Sequence, residues 1–202
     1  LALQPDGKIV VAGSCSNGIN NDFCLVRYEG GPNTPKTLTE YVYTPLNYYF
    51  LTSRDAEKAM LDGTAGWSRT GQSFSSLTFA DPGSRGINRY YFDQIAKNQT
   101  RGSHFYTLVD SEKTALAALN PNNQPSPRLP YYEGIDSYAY LPVIEGVGGS
   151  CAAGLVPVYR AFRGQTRFPD DPNHRFTTSL TLYNQMVAQG WDGEGVKLCA
   201  PN

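Results

Sequence analysis

The chain has 202 residues, enough for one sizeable domain or two small ones. With 17 basic against 18 acidic residues it is near neutral: no basic stripe points to nucleic acid or an anionic membrane, and no apolar run approaches the roughly 20 residues of a spanning helix. Charged residues make up 17%, below the usual quarter or so, while 14 Tyr and abundant Gly, Asn, Ser and Thr favour binding through hydroxyls, amides and aromatic faces.

Residues 1–30 predict a β-hairpin. Pro5-Asp6-Gly7 is a turn signal followed by a β-branched run, and Asn17-Gly18 with Asn20-Asn21-Asp22 marks a second turn before the return strand Phe23 to Tyr28. The wording LQPDGKIVVAG…NDFCLVRY over residues 1–28 resembles a β-propeller repeat of large secreted bacterial proteins. Only a fraction of one propeller is present, and an isolated hairpin is marginally stable, so it is expected to pack on the next domain or on a partner. Leu1 lies inside a strand motif and no signal peptide precedes it, so the expectation is a chain cut from a longer secreted precursor. Residues 31–36, overlapping the run Gly30-Gly31-Pro32-Asn33-Thr34-Pro35, read as a linker.

From about residue 37 to 202 the chain repeats itself. N-Y-Y-F-L-T-S around Tyr48, S-H-F-Y-T-L around His104 and N-H-R-F-T-T-S around His174 are each followed by a helix-like stretch and a Gly-containing strand. The first copy, 37–81, has strands at 40–43 and 48–52, then a helix capped by Ser53 that carries Ala56, Ala59 and Met60 at helical spacing, with Asp55 and Glu57 in its first turn. Gly66-Trp67 leads into its third strand.

The second copy, 86–146, has strands at 89–92 and 104–107 and a helix over 111–119 with Ala115, Leu116 and Leu119 on one face. A Pro/Asn-rich insertion at 120–130 precedes its last strand. The third copy, 154–201, has strands at 156–162 and 174–178, a helix capped by Ser179 that bears Leu182, Tyr183, Met186 and Val187, and a final strand after Gly190-Trp191. One β-β-α-β unit cannot bury its apolar face alone. The fold class is therefore α+β and β-rich: a pseudo-threefold ring of three such repeats, three-bladed propeller-like or trefoil-like, with an N-terminal β-hairpin.

The four cysteines include no C-x-x-C pair, and two histidines do not complete a zinc set. Cys15 and Cys24 flank a turn, where a hairpin would bring them opposite each other, and Cys151 and Cys199 open and close the third copy. Of three possible connectivities the preferred one is Cys15–Cys24 with Cys151–Cys199, which implies an oxidising compartment; four unpaired buried thiols are the alternative.

The wording H-x-Y/F-T…G-W-x-x-E-G…C-A-P resembles a secreted repeat family of bacteria and fungi known as a domain of unknown function. The departures are Tyr48 in place of the first His, Thr70 in place of the first Glu and Pro130 in place of the middle Trp. That family occurs beside hydrolase, protease and adhesin-like domains, which implies an accessory role.

Tyr48, His104 and His174 fit two roles: lining three equivalent pockets, or packing and capping repeated in every copy. Trp67 and Trp191 could be stacking platforms for a sugar or fillers between helix and sheet. Glu133 and Glu194 stand at matching positions; paired carboxylates could serve glycosidase chemistry, but these belong to different copies. Asp170, Asp171 and Asn173 are candidate oxygen ligands for Ca²⁺, though the run lacks calcium-loop wording; no other cofactor is expected. Asn98-Gln99-Thr100 accepts a glycan only in a eukaryotic source. No catalytic motif for a hydrolase, protease or nucleotide-binding enzyme occurs.

The expectation is a non-enzymatic, extracellular or cell-surface accessory module that binds a glycan or cell-surface component. The alternative is a structural or adhesin subunit that docks to other protomers or to a propeller domain of the same precursor. A polysaccharide hydrolase is the third reading.

Overall fold

The computed structural model describes residues 2–3, 9–16, 18, 20–28, 33–93, 102–164 and 171–202. Outside them lie the Pro5-Asp6-Gly7 turn, Asn17, the linker residues 30–32, the Asn98-Gln99-Thr100 sequon and Asp170. The chain divides into two compact bodies, Leu1–Thr34 and Pro35–Asn202.

The first body is an antiparallel sheet of β1 (Ala2–Leu3), β2 (Ile9–Ser16) and β3 (Asn21–Tyr28). Cys15 and Cys24 form a disulfide, but they are not directly opposite: Cys15 pairs with Asp22 and Cys24 with Gly13. The bond runs along the diagonal of the ladder, with the Cα atoms 5.7 Å apart.

The second body runs through the same order of elements three times. The first unit is β4 (Pro35–Tyr43), β5 (Tyr48–Thr52), α1 (Asp55–Asp62) and β6 (Trp67–Leu77). The second is β7 (Ser84–Phe92), β8 (Ser103–Thr107), α2 (Asp110–Leu119) and β9 (Pro130–Tyr140). The third is β10 (Leu155–Arg163), β11 (Asn173–Thr177), α3 (Leu180–Ala188) and β12 (Asp192–Pro201). In each, the first strand lies between the second and the third, all antiparallel. β9 joins the units, pairing with β6 through Leu77 and Tyr138 and with β12 through Cys199 and Tyr140.

Strand register shows which residues occupy equivalent places. Thr39 faces Thr52, Asn88 faces Thr107 and Tyr159 faces Thr177. The residues just before those first-strand positions are Leu38, Ile87 and Val158, each at most 1% exposed. They enter one core with Leu51, Tyr106 and Phe176 from the second strands, so all three units share their apolar interior. Counting back three residues from each threonine gives Tyr49, His104 and His174. This corrects the sequence alignment by one place: Tyr49, not Tyr48, is the counterpart of the histidines, and Tyr48 aligns with Ser103 and Asn173.

The recurring threonine has a mechanical role. Its side-chain oxygen accepts the backbone N–H two residues on: Arg54 onto Thr52 at 3.0 Å, Val109 onto Thr107 at 2.9 Å and Ser179 onto Thr177 at 3.0 Å. The turn from second strand into helix is thereby fixed while the hydroxyl stays buried. Ser179 caps α3 by accepting from Leu182, but Ser53 caps nothing: its hydroxyl donates to the Asp136 carbonyl, and Arg54 takes the cap position without a side-chain bond.

The inward helix faces also differ from the apolar pattern. Ala56, Ala59, Met60, Ala115 and Leu119 are exposed, as is Val187. Glu57 with Leu61, Glu112 with Leu116, and Leu182 with Met186 occupy matching inward places, a carboxylate leading in two of the three.

Cys151 and Cys199 form the second disulfide, closing a stretch of 48 residues with Cα atoms 5.8 Å apart. Replacing both by serine should lower unfolding free energy by roughly 4 kcal/mol through the freed unfolded chain. Chemical denaturation of the double variant measures this, and unchanged stability would contradict a structural role for the bridge.

Candidate functional site

Each third strand breaks its ladder at a glycine with positive φ: Gly71 (83°), Gly134 (98°) and Gly195 (75°). Only glycine adopts this conformation without strain, and the pairing registers shift there as in a β-bulge. The bulge turns the preceding side chain, Thr70, Glu133 or Glu194, toward the centre of the first strand, where Glu40, Arg89 or Arg160 is buried.

At the border of the first and second units, the Arg89 guanidinium binds Glu57 of α1 through two hydrogen bonds, 2.8 and 2.9 Å. Its Nε lies 2.9 Å from Glu133, and Phe50 lies beneath it at 5.4 Å. The next border has the same parts. Arg160, 2% exposed, receives Glu112 of α2 in two hydrogen bonds and Glu194 in two more, over the ring of Phe105 at 4.7 Å.

Between the third and first units the charges are exchanged. Arg175 stands where Phe50 and Phe105 stand, and it binds Glu40 at 2.9 and 2.8 Å while covering the Tyr49 ring at 4.0 Å. Thr70 donates to the same carboxylate, and Leu182 replaces the helix glutamate.

The histidines complete these clusters. His104 Nε2 lies 3.2 Å from Glu133, with its ring between Phe50 and Tyr91. His174 Nε2 lies 3.6 Å from Glu194, with its ring stacked on Phe162 and edge-on to Phe105. Burial pushes both imidazoles below their ordinary value; for His104 this outweighs the attraction of Glu133, and for His174 the charge of Arg160 adds to it. His104 is therefore neutral at neutral pH, and its Nε2 faces a Glu133 Oε2 that has no hydrogen-bond partner.

Burial would raise Glu57, but hydrogen bonds from Arg89 and Thr52 and the charges of Arg89 and Arg54 prevail and hold it at about 2. Burial likewise opposes the lowering of Glu133, which His104 and then Arg89 bring about.

Two cavities open at the first border. One, about 160 Å³, is walled by Tyr43, Tyr48, Tyr49, Tyr91, Trp67 and His104. The other, about 360 Å³, shares Trp67 and His104 and adds Phe50, Met60, Glu57, Arg89 and Glu133. Trp67 is half-buried, packing on Tyr43 at 5.3 Å and Phe50 at 6.1 Å.

Trp191, its counterpart, is 7% exposed and fills the space under α3 with Ala161, Tyr183 and Met186. Pro130, opposite Phe92 as Trp67 is opposite Tyr43, holds the middle place. The structure thus brings Trp67, His104 and Glu133 together and leaves Trp191, His174 and Glu194 in the third unit. Tyr43, Tyr49, Phe50, Arg89 and Tyr91 carry no site signal in the sequence, and Glu57 reads there only as a first-turn helix acid. A buried arginine lying 15 residues before His104 and 14 before His174 was the signal that could have found the charged cluster.

Asp171 accepts from Arg163, and Asn173 is bound to Ser103 and the Tyr49 backbone, so the two described calcium candidates of the three already serve protein partners. Among the described residues no group of three His, Cys, Asp or Glu is arranged to hold a metal ion.

These features define a disulfide-linked, β-rich protein whose recurring units meet through buried arginine–carboxylate clusters. The family described as Domain of unknown function (DUF5648) matches residues 42–201, and the chain belongs to it. Residues 4–30 are similar to the family described as Domain of unknown function (DUF5122) beta-propeller. Comparisons with curated proteins and with solved structures find no match.

The histidines sit below their unfolded value near 6.5 and Glu57 below 4.5, so the unfolded chain binds more protons than the folded one as pH falls. Stability is full above about pH 6.5, declines first through the histidines, and declines again as Glu57 titrates between 4.5 and about 2. Urea midpoints should fall between about pH 7.5 and 5, and fall less in His174→Gln. A midpoint constant across that range in the unaltered chain would contradict the buried neutral histidines.

Proposed function

We propose that the three units close as a pseudo-threefold ring and that this ring is an extracellular recognition module for a glycan or other cell-surface component. Three features support closure: β5, β8 and β11 each contact the other two, the core draws on all units, and each border repeats the same contact positions. The two disulfides, and the absence among the described residues of a helix long and apolar enough to cross a membrane, accord with an exported protein.

The observation that carries the binding reading is the pair of cavities sharing Trp67 and His104. A half-buried indole offers a face for the C–H side of a sugar ring, while the ionised Glu57 and Glu133, whose Oε2 has no hydrogen-bond partner, accept from hydroxyls. The same charges favour binding over hydrolysis. Arg89 holds Glu57 low, and His104 and then Arg89 lower Glu133, so neither serves as a proton donor at neutral pH, and Glu194 belongs to a separate cluster.

A structural or adhesin role is the second reading. It draws on the propeller-like hairpin, where edge strand β3 exposes Phe23 (72%), Leu25 (64%) and Val26 (49%).

A glycan array followed by calorimetry on the full chain tests the leading reading. Trp67→Ala should weaken the bound glycan about tenfold, the scale of one aromatic contact of roughly 1.5 kcal/mol. Met60→Arg, at an exposed position on the cavity rim, should block binding with no loss of fold. No glycan bound up to millimolar concentration, or full binding by both variants, would overturn it.

A further inference from the structure

A third cavity, of about 480 Å³, lies within the second unit between α2, the strands β7 and β9 and the turn after α2. It shares no lining residue with the two cavities at the first border. Its size falls in the range of roughly 300–1,000 Å³ that small-molecule sites occupy.

The repeat explains where this cavity is. In the third unit Trp191 clusters with Ala161, Tyr183 and Met186, and Tyr159 packs against them. Strand register and helix alignment put Tyr90, Lys113, Leu116 and Asn88 at the same four places of the second unit. All four line the cavity, and so does Pro130, which holds the place of the indole. The third unit closes this space with its own Trp191; in the second unit a proline ring is too small to do so.

The walls suit a flat apolar ring better than a sugar. Tyr90 and Tyr132 form a tilted pair with centroids 5.1 Å apart, and Leu116 and Pro130 add apolar surface. The amides at the site serve the chain itself. Asn88 donates to the Gly86 and Thr107 carbonyls and accepts from the Tyr132 hydroxyl. Asn120 donates to the Gln124 and Pro130 carbonyls, and Asn123 exchanges hydrogen bonds with the Tyr132 backbone. Lys113 is paired with Asp110 at 2.6 Å. The exception is Tyr90. It is 6% exposed, and its hydroxyl has no hydrogen-bond partner among the described residues. A buried hydroxyl without a partner is costly, and a polar atom on a bound ring would satisfy it.

We propose that this cavity binds a planar aromatic ring of indole size bearing one polar atom. The ring takes the place that Trp191 fills in the third unit, between α2 and the tyrosine pair, and its polar atom meets the Tyr90 hydroxyl. Contact with the tyrosine, leucine and proline walls supplies the attraction. The site is separate from the cleft at Trp67 and does not depend on what that cleft binds.

The experiment titrates the full chain with indole and, separately, with glucose, whose hydroxyls would find the amides engaged. Calorimetry reports binding, and methyl NMR of Leu116 and Ala117 reports its place. Indole should saturate and shift both methyl signals, and glucose should do neither. Ala117→Arg, at an exposed position on the cavity rim, should weaken indole at least about tenfold. Tyr90→Phe, which removes only the hydroxyl, should weaken indole about threefold without lowering the urea midpoint of the free protein. No saturable indole binding up to millimolar concentration, shifts confined to Met60 and Leu61 at the first border, glucose bound as tightly, or full binding by Ala117→Arg overturns the proposal. The first three of these outcomes are read on unaltered protein.

N-Acetyl-L-tryptophanamide forms a further arm. Bound as tightly as indole, it assigns the ring to a polypeptide side chain; indole bound without it assigns the ring to a free small molecule. Oligosaccharides bound without indole would remove this site and leave the glycan reading. Indole bound without any oligosaccharide would do the reverse.

Discussion

A guanidinium taken out of water between two units is the constraint on which the rest of the second body depends. Removing an arginine from solvent costs several kcal/mol unless a carboxylate meets it in two-pronged geometry and its other donors are engaged. Arg160 satisfies this with a glutamate from the preceding unit's helix and one from its own third strand; Arg89 has the two-pronged helix glutamate, while its Nε lies 2.9 Å from Glu133 without a hydrogen bond. The local features follow from that demand. A positive-φ glycine creates the bulge that aims the third-strand glutamate, a buried threonine fixes the turn that presents the helix glutamate, and a phenylalanine from the neighbour lies beneath the charge.

The last border satisfies the same demand with the signs exchanged. Glu40 takes the arginine's place and Arg175 the phenylalanine's, so that acid and base still meet in a bidentate pair. Neither substitution would be tolerable alone, since each would leave a buried charge without its partner. The exchange also makes the borders chemically different. In the proposed ring, repetition supplies the frame and departures from repetition supply the proposed site. Trp67 remains half-buried beside open space, Trp191 is packed under α3 with Arg163 5.3 Å from its ring, and Pro130 has no indole to offer.

Much of this architecture could be read from the amino acids because the three second strands share a buried threonine and an aromatic or imidazole ring. Those requirements preserve the wording through which the units were aligned. The one-residue slip that put Tyr48 beside the histidines arose because two tyrosines are adjacent and the first copy has no histidine to fix its position; the place of Thr52 in the ladder resolves it.

The helix faces were misread for a different reason. An apolar stripe ordinarily marks the inward side, but α1 and α2 direct Glu57 and Glu112 inward to meet an arginine, leaving Met60 and Leu119 in solvent. Long-range charge pairing of this kind leaves no periodic trace. The aromatic cavity was equally hidden, since Tyr43, Tyr49 and Tyr91 converge only through strand register and the close approach that Gly66 and Gly102 allow.

The central claim is that each border is held by a coupled pair of buried opposite charges, and the exchanged border tests it most directly. A double-mutant cycle on Glu40→Gln and Arg175→Met, measured by urea unfolding at neutral pH, isolates the coupling. Each single change should cost roughly 3 kcal/mol, and the double change should cost less than their sum by at least about 1.5 kcal/mol. Strictly additive losses, or single changes that cost nothing, would contradict the account.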